Sequence, residues 1–127
     1  MTPQVPLVLG EMAALAMRNA GPDVPDGERQ TALTLAAMLL GVAAEVWDTA
    51  AEHLVRENRA VAALLGDADD ESDLRLTALR AENARLRSLL IAAHVAAEQA
   101  GDRAREDAIW AELIASTERR KLSISSI

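Results

Sequence analysis

Two stretches of this chain carry their apolar residues at alternating spacings of three and four, and the two series match when the chain is folded back on itself. The first runs Leu33, Ala37, Leu40, Ala44, Trp47, Ala51, Leu54, Asn58, Val61, Leu65. The second runs Leu76, Leu79, Asn83, Leu86, Leu90, Ala93, Ala97, Ala100. Such spacing lays one stripe along one face of an α-helix, the pattern that seats helices side by side in coiled coils. Antiparallel partners must keep a nearly constant total of residue numbers. From Leu65 opposite Leu76 to Leu40 opposite Ala100, eight layers alternate between totals of 141 and 140. One register therefore serves both stripes, and it places the bulky Trp47 opposite the small Ala93.

Helix-breaking residues divide the rest. Pro6 to Ala20 reads as a first helix stopped by Gly21-Pro22, with Asp23 or Asp26 available to cap the next. Past Gly27, nothing before Gly66 interrupts a helix except Gly41. The second helix is expected over about 26–65 and the third over about 70–100, its start within the acidic stretch 67–73. Carboxylates there would favour the positive end of the helix dipole. Gly101-Asp102 offers a stop followed by an N-cap, and a fourth helix is expected to about Arg120. The expectation is an all-α, single-domain chain, 1–127. Its form is a four-helix bundle built on a long antiparallel hairpin, with shorter helices at either end.

Composition agrees with helix. The 127 residues include 27 Ala and 18 Leu, no Phe, no Tyr and two aromatics, Trp47 and Trp110. Ala and Leu lead the helix scale, whereas strands favour β-branched and aromatic residues. With no Cys, disulfides and thiol chemistry are excluded. The net charge of −7, with basic residues clustered only at Arg119, Arg120 and Lys121, argues against nucleic acid as a partner. The longest uncharged run, 30–44, is shorter than the roughly 20 residues a membrane helix needs, and the N-terminus lacks a basic start. A cytoplasmic protein with no membrane partner is the expectation.

Three polar features invite a site. Asn58 and Asn83 fall in one layer of the hairpin register, where an amide pair can satisfy buried polar groups and penalise a slipped alignment. Trp47 and His94, with Glu45 or Asp48 nearby, form a possible small pocket. The stretch 67–73 holds five acids but departs from a calcium loop, with Ser72 where glycine is required and Ala78 where glutamate is. His53 and His94 lack the Glu three residues earlier that a di-iron bundle uses. No nucleophile with a base and no Gly-rich phosphate loop can be assembled, so no catalytic residue, metal or cofactor is expected.

The remaining constraint is the stretch 31–47, with Glu45 as its only charge. Leu35, Leu39, Val42 and Val46 make a second apolar stripe beside the seam. A helix apolar on nearly all sides must be covered. Leu7, Met12 and Leu15 of the first helix, and Ile109, Trp110 and Leu113 of the fourth, supply partial cover. Gly41 would allow close approach of a covering helix, and a second copy of the chain would supply the rest; the rival is a monomer whose second helix kinks near Gly41. The first expectation is thus a non-enzymatic, homodimeric helical module that also has room for a protein partner. The alternative is a small-ligand protein using the Trp47–His94 pocket.

Arg29-Gln-Thr-Ala-Leu33, the run Glu57 to Leu65 and Arg119-Arg-Lys-Leu122 together resemble parts of a small bacterial helical family of unknown function. Members of that family are encoded near phosphotransferase-like and acyl-CoA dehydrogenase proteins. The resemblance implies an accessory role in acyl-CoA metabolism and carries over no catalytic residue.

Overall fold

The computed structural model describes residues 4–67 and 72–123. They are all-α: four helices, one short 3-10 turn and no strand among the described residues. Helix α1 spans Val5–Asn19, the 3-10 turn Gly21–Asp23, α2 Glu28–Leu65, α3 Leu76–Ala100 and α4 Arg103–Arg119. Gly41 does not interrupt α2, since a helix interior tolerates glycine at a modest cost in propensity.

The described residues divide into two compact units, 4–49 and 50–67 with 72–123. The first therefore contains α1, the 3-10 turn and the leading part of α2. Neither α1 nor the turn has a buried residue, and the first buried position of α2 is Glu57. The stripe proposed as an interface is only partly covered among the described residues: Leu35 is 48 % exposed, Leu39 56 % and Val46 37 %, with Val42 half-buried. A Cβ placed on Gly41 would meet nothing within 4 Å among the described residues.

The second unit holds the core. Val61 and Ala62 of α2, Leu86 and Leu90 of α3 and Ile109 of α4 form one buried cluster, with Leu64, Leu65, Ala93 and Leu113 packed against it. The buried residues of α3 are Leu79, Asn83, Leu86, Leu90 and Ala97, all members of the expected seam. Burial thus follows the three-four spacing read from the sequence.

The helix ends show where local chemistry prevails. Gly101 closes α3 in the left-handed conformation, φ 65°, its N–H bonded to the carbonyls of Ala97 and Glu98. Asp102 then caps α4, its side chain accepting from the Arg105 N–H at 3.1 Å. The start of α3 differs from expectation. It begins at Leu76, with Arg75 as N-cap, no side-chain cap bond and no acid in its first turn. The reason is a local competitor: the Asp73 carboxylate accepts from the Arg75 backbone N–H at 3.0 Å and pairs with its guanidinium. An aspartate that bonds two residues ahead builds a turn rather than a helix. Of the acidic stretch, residues 68–71 lie outside the described residues, as do 124–127 of the C-terminal tail.

Among the described residues α2 is the one helix long and apolar enough to cross a membrane, with an 18-residue window of mean hydropathy 1.4 of which none is buried. The uncharged run 30–44 is too short by itself.

Candidate functional site

The most unusual feature of the second unit is a buried carboxylate. Glu57, on α2, is 2 % exposed. An isolated charge cannot be buried at acceptable cost, so its partners explain its presence. Both of its oxygens are fully engaged. Oε1 accepts from Asn83 Nδ2 at 3.0 Å, Arg87 Nε at 3.0 Å and Arg120 Nη2 at 2.7 Å. Oε2 accepts from Ser116 Oγ at 2.9 Å and from Arg120 Nε and Nη2 at 3.1 and 2.8 Å. Donors from α3, from α4 and from the C-cap of α4 therefore converge on one side chain of α2. Burial by itself would raise the Glu57 pKa. The hydrogen bonds from Asn83, Arg120 and Ser116, with the charge of Arg120, outweigh it and hold the group at about 2, below the ordinary 4.5.

Asn58 and Asn83 extend this cluster into the seam. Asn83 Nδ2 donates to Asn58 Oδ1 at 2.9 Å, and Asn58 Nδ2 donates to the Leu79 carbonyl at 3.1 Å. Asn83 thus spends both amide hydrogens, one on Asn58 and one on Glu57. The amide pair foreseen from the register is brought together. The carboxylate beside it was not foreseen, although a signal existed. Glu57 flanks the seam next to Asn58, and Arg87 flanks it next to Leu86, the positions at which coiled-coil helices exchange charges.

The residues of the suggested pocket are divided between the units. Glu45, Trp47 and Asp48 belong to the first, where Trp47 is 57 % exposed. His94 belongs to the second, where it meets Trp110 edge-on, ring centroids 5.6 Å apart and planes at 89°. Edge-to-face is a favoured geometry for aromatic rings. His94 Nε2 is buried with no hydrogen-bond partner among the described residues. In the first unit, an open depression on α2 is lined by Gln30, Thr31, Thr34, Leu35 and Met38.

Chemically, the Glu57 cluster is a structural tie more than a reactive centre. Its carboxylate is saturated with donors and held far below the range in which a general base works near neutral pH. Among the described residues no three His, Asp or Glu side chains come together to hold a metal ion. No family model, curated protein or solved structure matches the chain.

Proposed function

We propose that this protein is a non-enzymatic helical interaction module that self-associates through its first unit. The carrying observation is the contrast between the units. The first has no buried residue among those described, yet Leu7, Val8, Met12, Leu15, Met17, Leu35, Met38, Leu39, Val46 and Trp47 are each 37–63 % exposed. Apolar surface of this extent on a soluble chain marks an interaction site. Fully burying one such side chain is worth about 1.5–3 kcal/mol. These side chains are already about half covered, so completing the burial of five of them on each of two copies would supply roughly 8–15 kcal/mol, comparable with association costs of roughly 4–15 kcal/mol.

In this reading the architecture is a four-helix bundle built on an antiparallel pairing of α2 and α3 in one coiled-coil register. The Asn58–Asn83 pair keeps that register, and two copies join along the Leu35, Leu39, Val42 and Val46 stripe. The protein works in the cytoplasm, without a membrane or nucleic acid. The ligand reading, in which Trp47 and His94 serve an acyl-CoA-linked accessory role, rests on no observation comparable to that exposed surface.

The experiment is solution mass by light scattering across a concentration series, for the wild type and a Leu35→Asp/Leu39→Asp variant. A dimer that the variant dissolves supports the reading. A monomer at high micromolar concentration sinks it. Co-flotation of the wild type with phosphatidylcholine vesicles would sink it in another way, by making α2 a membrane element.

A further inference from the structure

Along α2 the stripe Leu35, Leu39, Val42 and Val46 is spaced four, three, four, with its leucines in the first half and its valines in the second. Laid against a second copy running the opposite way, the stripe meets itself. Leu35 falls opposite Val46 of the partner subunit and Leu39 opposite Val42 of the partner subunit, both at a total of 81. Each layer then holds one leucine and one valine, so side-chain volume stays even along the contact, as close packing requires. The next layer outward, Ala32 with Thr49 of the partner subunit, keeps the same total. The Thr49 hydroxyl already donates to the Glu45 carbonyl at 3.1 Å, so it enters an apolar contact with its donor satisfied. Beside the stripe, Ala36 meets Ala43 of the partner subunit at a total of 79, and small side chains there let the helices approach closely.

Charge selects the direction. Glu28 lies on the same stripe, four residues before Ala32. A parallel pairing in register sets Glu28 against Glu28 of the partner subunit, and like charges in direct contact are unfavourable. The antiparallel pairing holds these two carboxylates roughly 38 Å apart, at about 1.5 Å per residue. Moving the antiparallel register by one heptad in one direction sets Glu28 against Val46 of the partner subunit. Moving it the other way leaves Leu35 facing His53 of the partner subunit. One register out of these keeps all four apolar residues together and the acid outside.

We propose that α2 pairs with α2 of a second copy in this antiparallel register, the two-fold axis crossing the helices at residues 40–41. The pairing rests on the self-association assigned above and adds which residues meet. Because both copies use the same patch, the contact closes at two chains.

The chain has no Cys, so introduced thiols report the pairing without background. Leu35→Cys and Val46→Cys chains are mixed in reductant, allowed to exchange subunits and then oxidised with glutathione disulfide. A disulfide needs its two Cα atoms within about 7 Å. The mixture should give the crossed disulfide, and either variant by itself at least tenfold less covalent dimer, since like positions stand roughly 16 Å apart. Cross-linking of either variant with itself to the level of the mixture overturns the antiparallel register.

Light scattering of the same chains in reductant separates this register from the reading beneath it. A dimer that gives no crossed disulfide overturns the register alone, and a monomer overturns both. A second pair of variants checks the face of α2. Gly41 lies more than a quarter turn off the stripe, so Gly41→Ala should leave the dimer dissociation constant within about twofold, whereas Leu39→Asp should raise it at least hundredfold. A dimer weakened by Gly41→Ala puts the contact on another face and overturns the register.

Discussion

Asn83 donates one amide hydrogen to Asn58 across the seam and the other to Glu57, at 2.9 and 3.0 Å. The two asparagines are therefore not equivalent. Asn58 closes a pair, whereas Asn83 joins the seam to a buried charge.

That inequality predicts different costs. Asn58→Leu removes a bond to the Leu79 carbonyl and leaves one buried Asn83 N–H without its acceptor, and is expected to cost roughly 1–3 kcal/mol. Asn83→Leu leaves the Asn58 Oδ1 unpaired and also strips a donor from a buried carboxylate, and should cost more, roughly 3–5 kcal/mol. Urea unfolding of the two single variants decides. Equal costs would mean that Glu57 does not depend on Asn83.

The low pKa of Glu57 links folding to pH. Its carboxyl is held at about 2 in the folded chain against an ordinary 4.5, so ionisation favours folding. The contribution is fully present above the unfolded value and is lost as pH falls from about 4.5 toward 2, a window worth on the order of 3 kcal/mol. Glu57→Gln should lower the urea midpoint at neutral pH, and the gap to the wild type should close as pH falls through that window. A gap that stays constant would show that the carboxylate's charge is irrelevant.

Neighbouring hydroxyls on α4 provide an internal control. Ser116 is 4 % exposed and donates to Glu57, whereas Thr117 is exposed and donates only to the Leu113 carbonyl of its own helix. Ser116→Ala should destabilise by roughly 1–3 kcal/mol and Thr117→Ala by less than about 0.5 kcal/mol. Thermal unfolding of both variants tests the difference.

Two glycines should respond in opposite directions. At each, an added Cβ meets nothing within 4 Å, so only backbone conformation matters. Gly41→Ala, inside α2, should stabilise by roughly 0.5–1 kcal/mol. Gly101→Ala, at φ 65°, should destabilise by roughly 1–2 kcal/mol. If the first unit dimerises with close approach at Gly41, that variant will also raise the dimer dissociation constant, which light scattering reads directly.

Much of this protein is legible from local chemistry. The absence of strong breakers over 28–65, the Gly101-Asp102 stop and cap, and the three-four spacing of α3 are short-range signals, and they reappear as helix ends and as the buried positions Leu79, Asn83, Leu86 and Leu90. The start of α3 was misjudged because a carboxylate near a helix end can cap or build a turn. Asp73 took the second course by capturing Arg75. Nor did the sequence reveal the site around Glu57. Whether a glutamate lies in water or in a core depends on donors drawn from Asn83, Arg87, Ser116 and Arg120, up to 63 residues away. Helix ends and periodicity are settled within a turn or two of chain. Burial of a charge requires several helices to deliver their donors at once, and only the tertiary structure decides that.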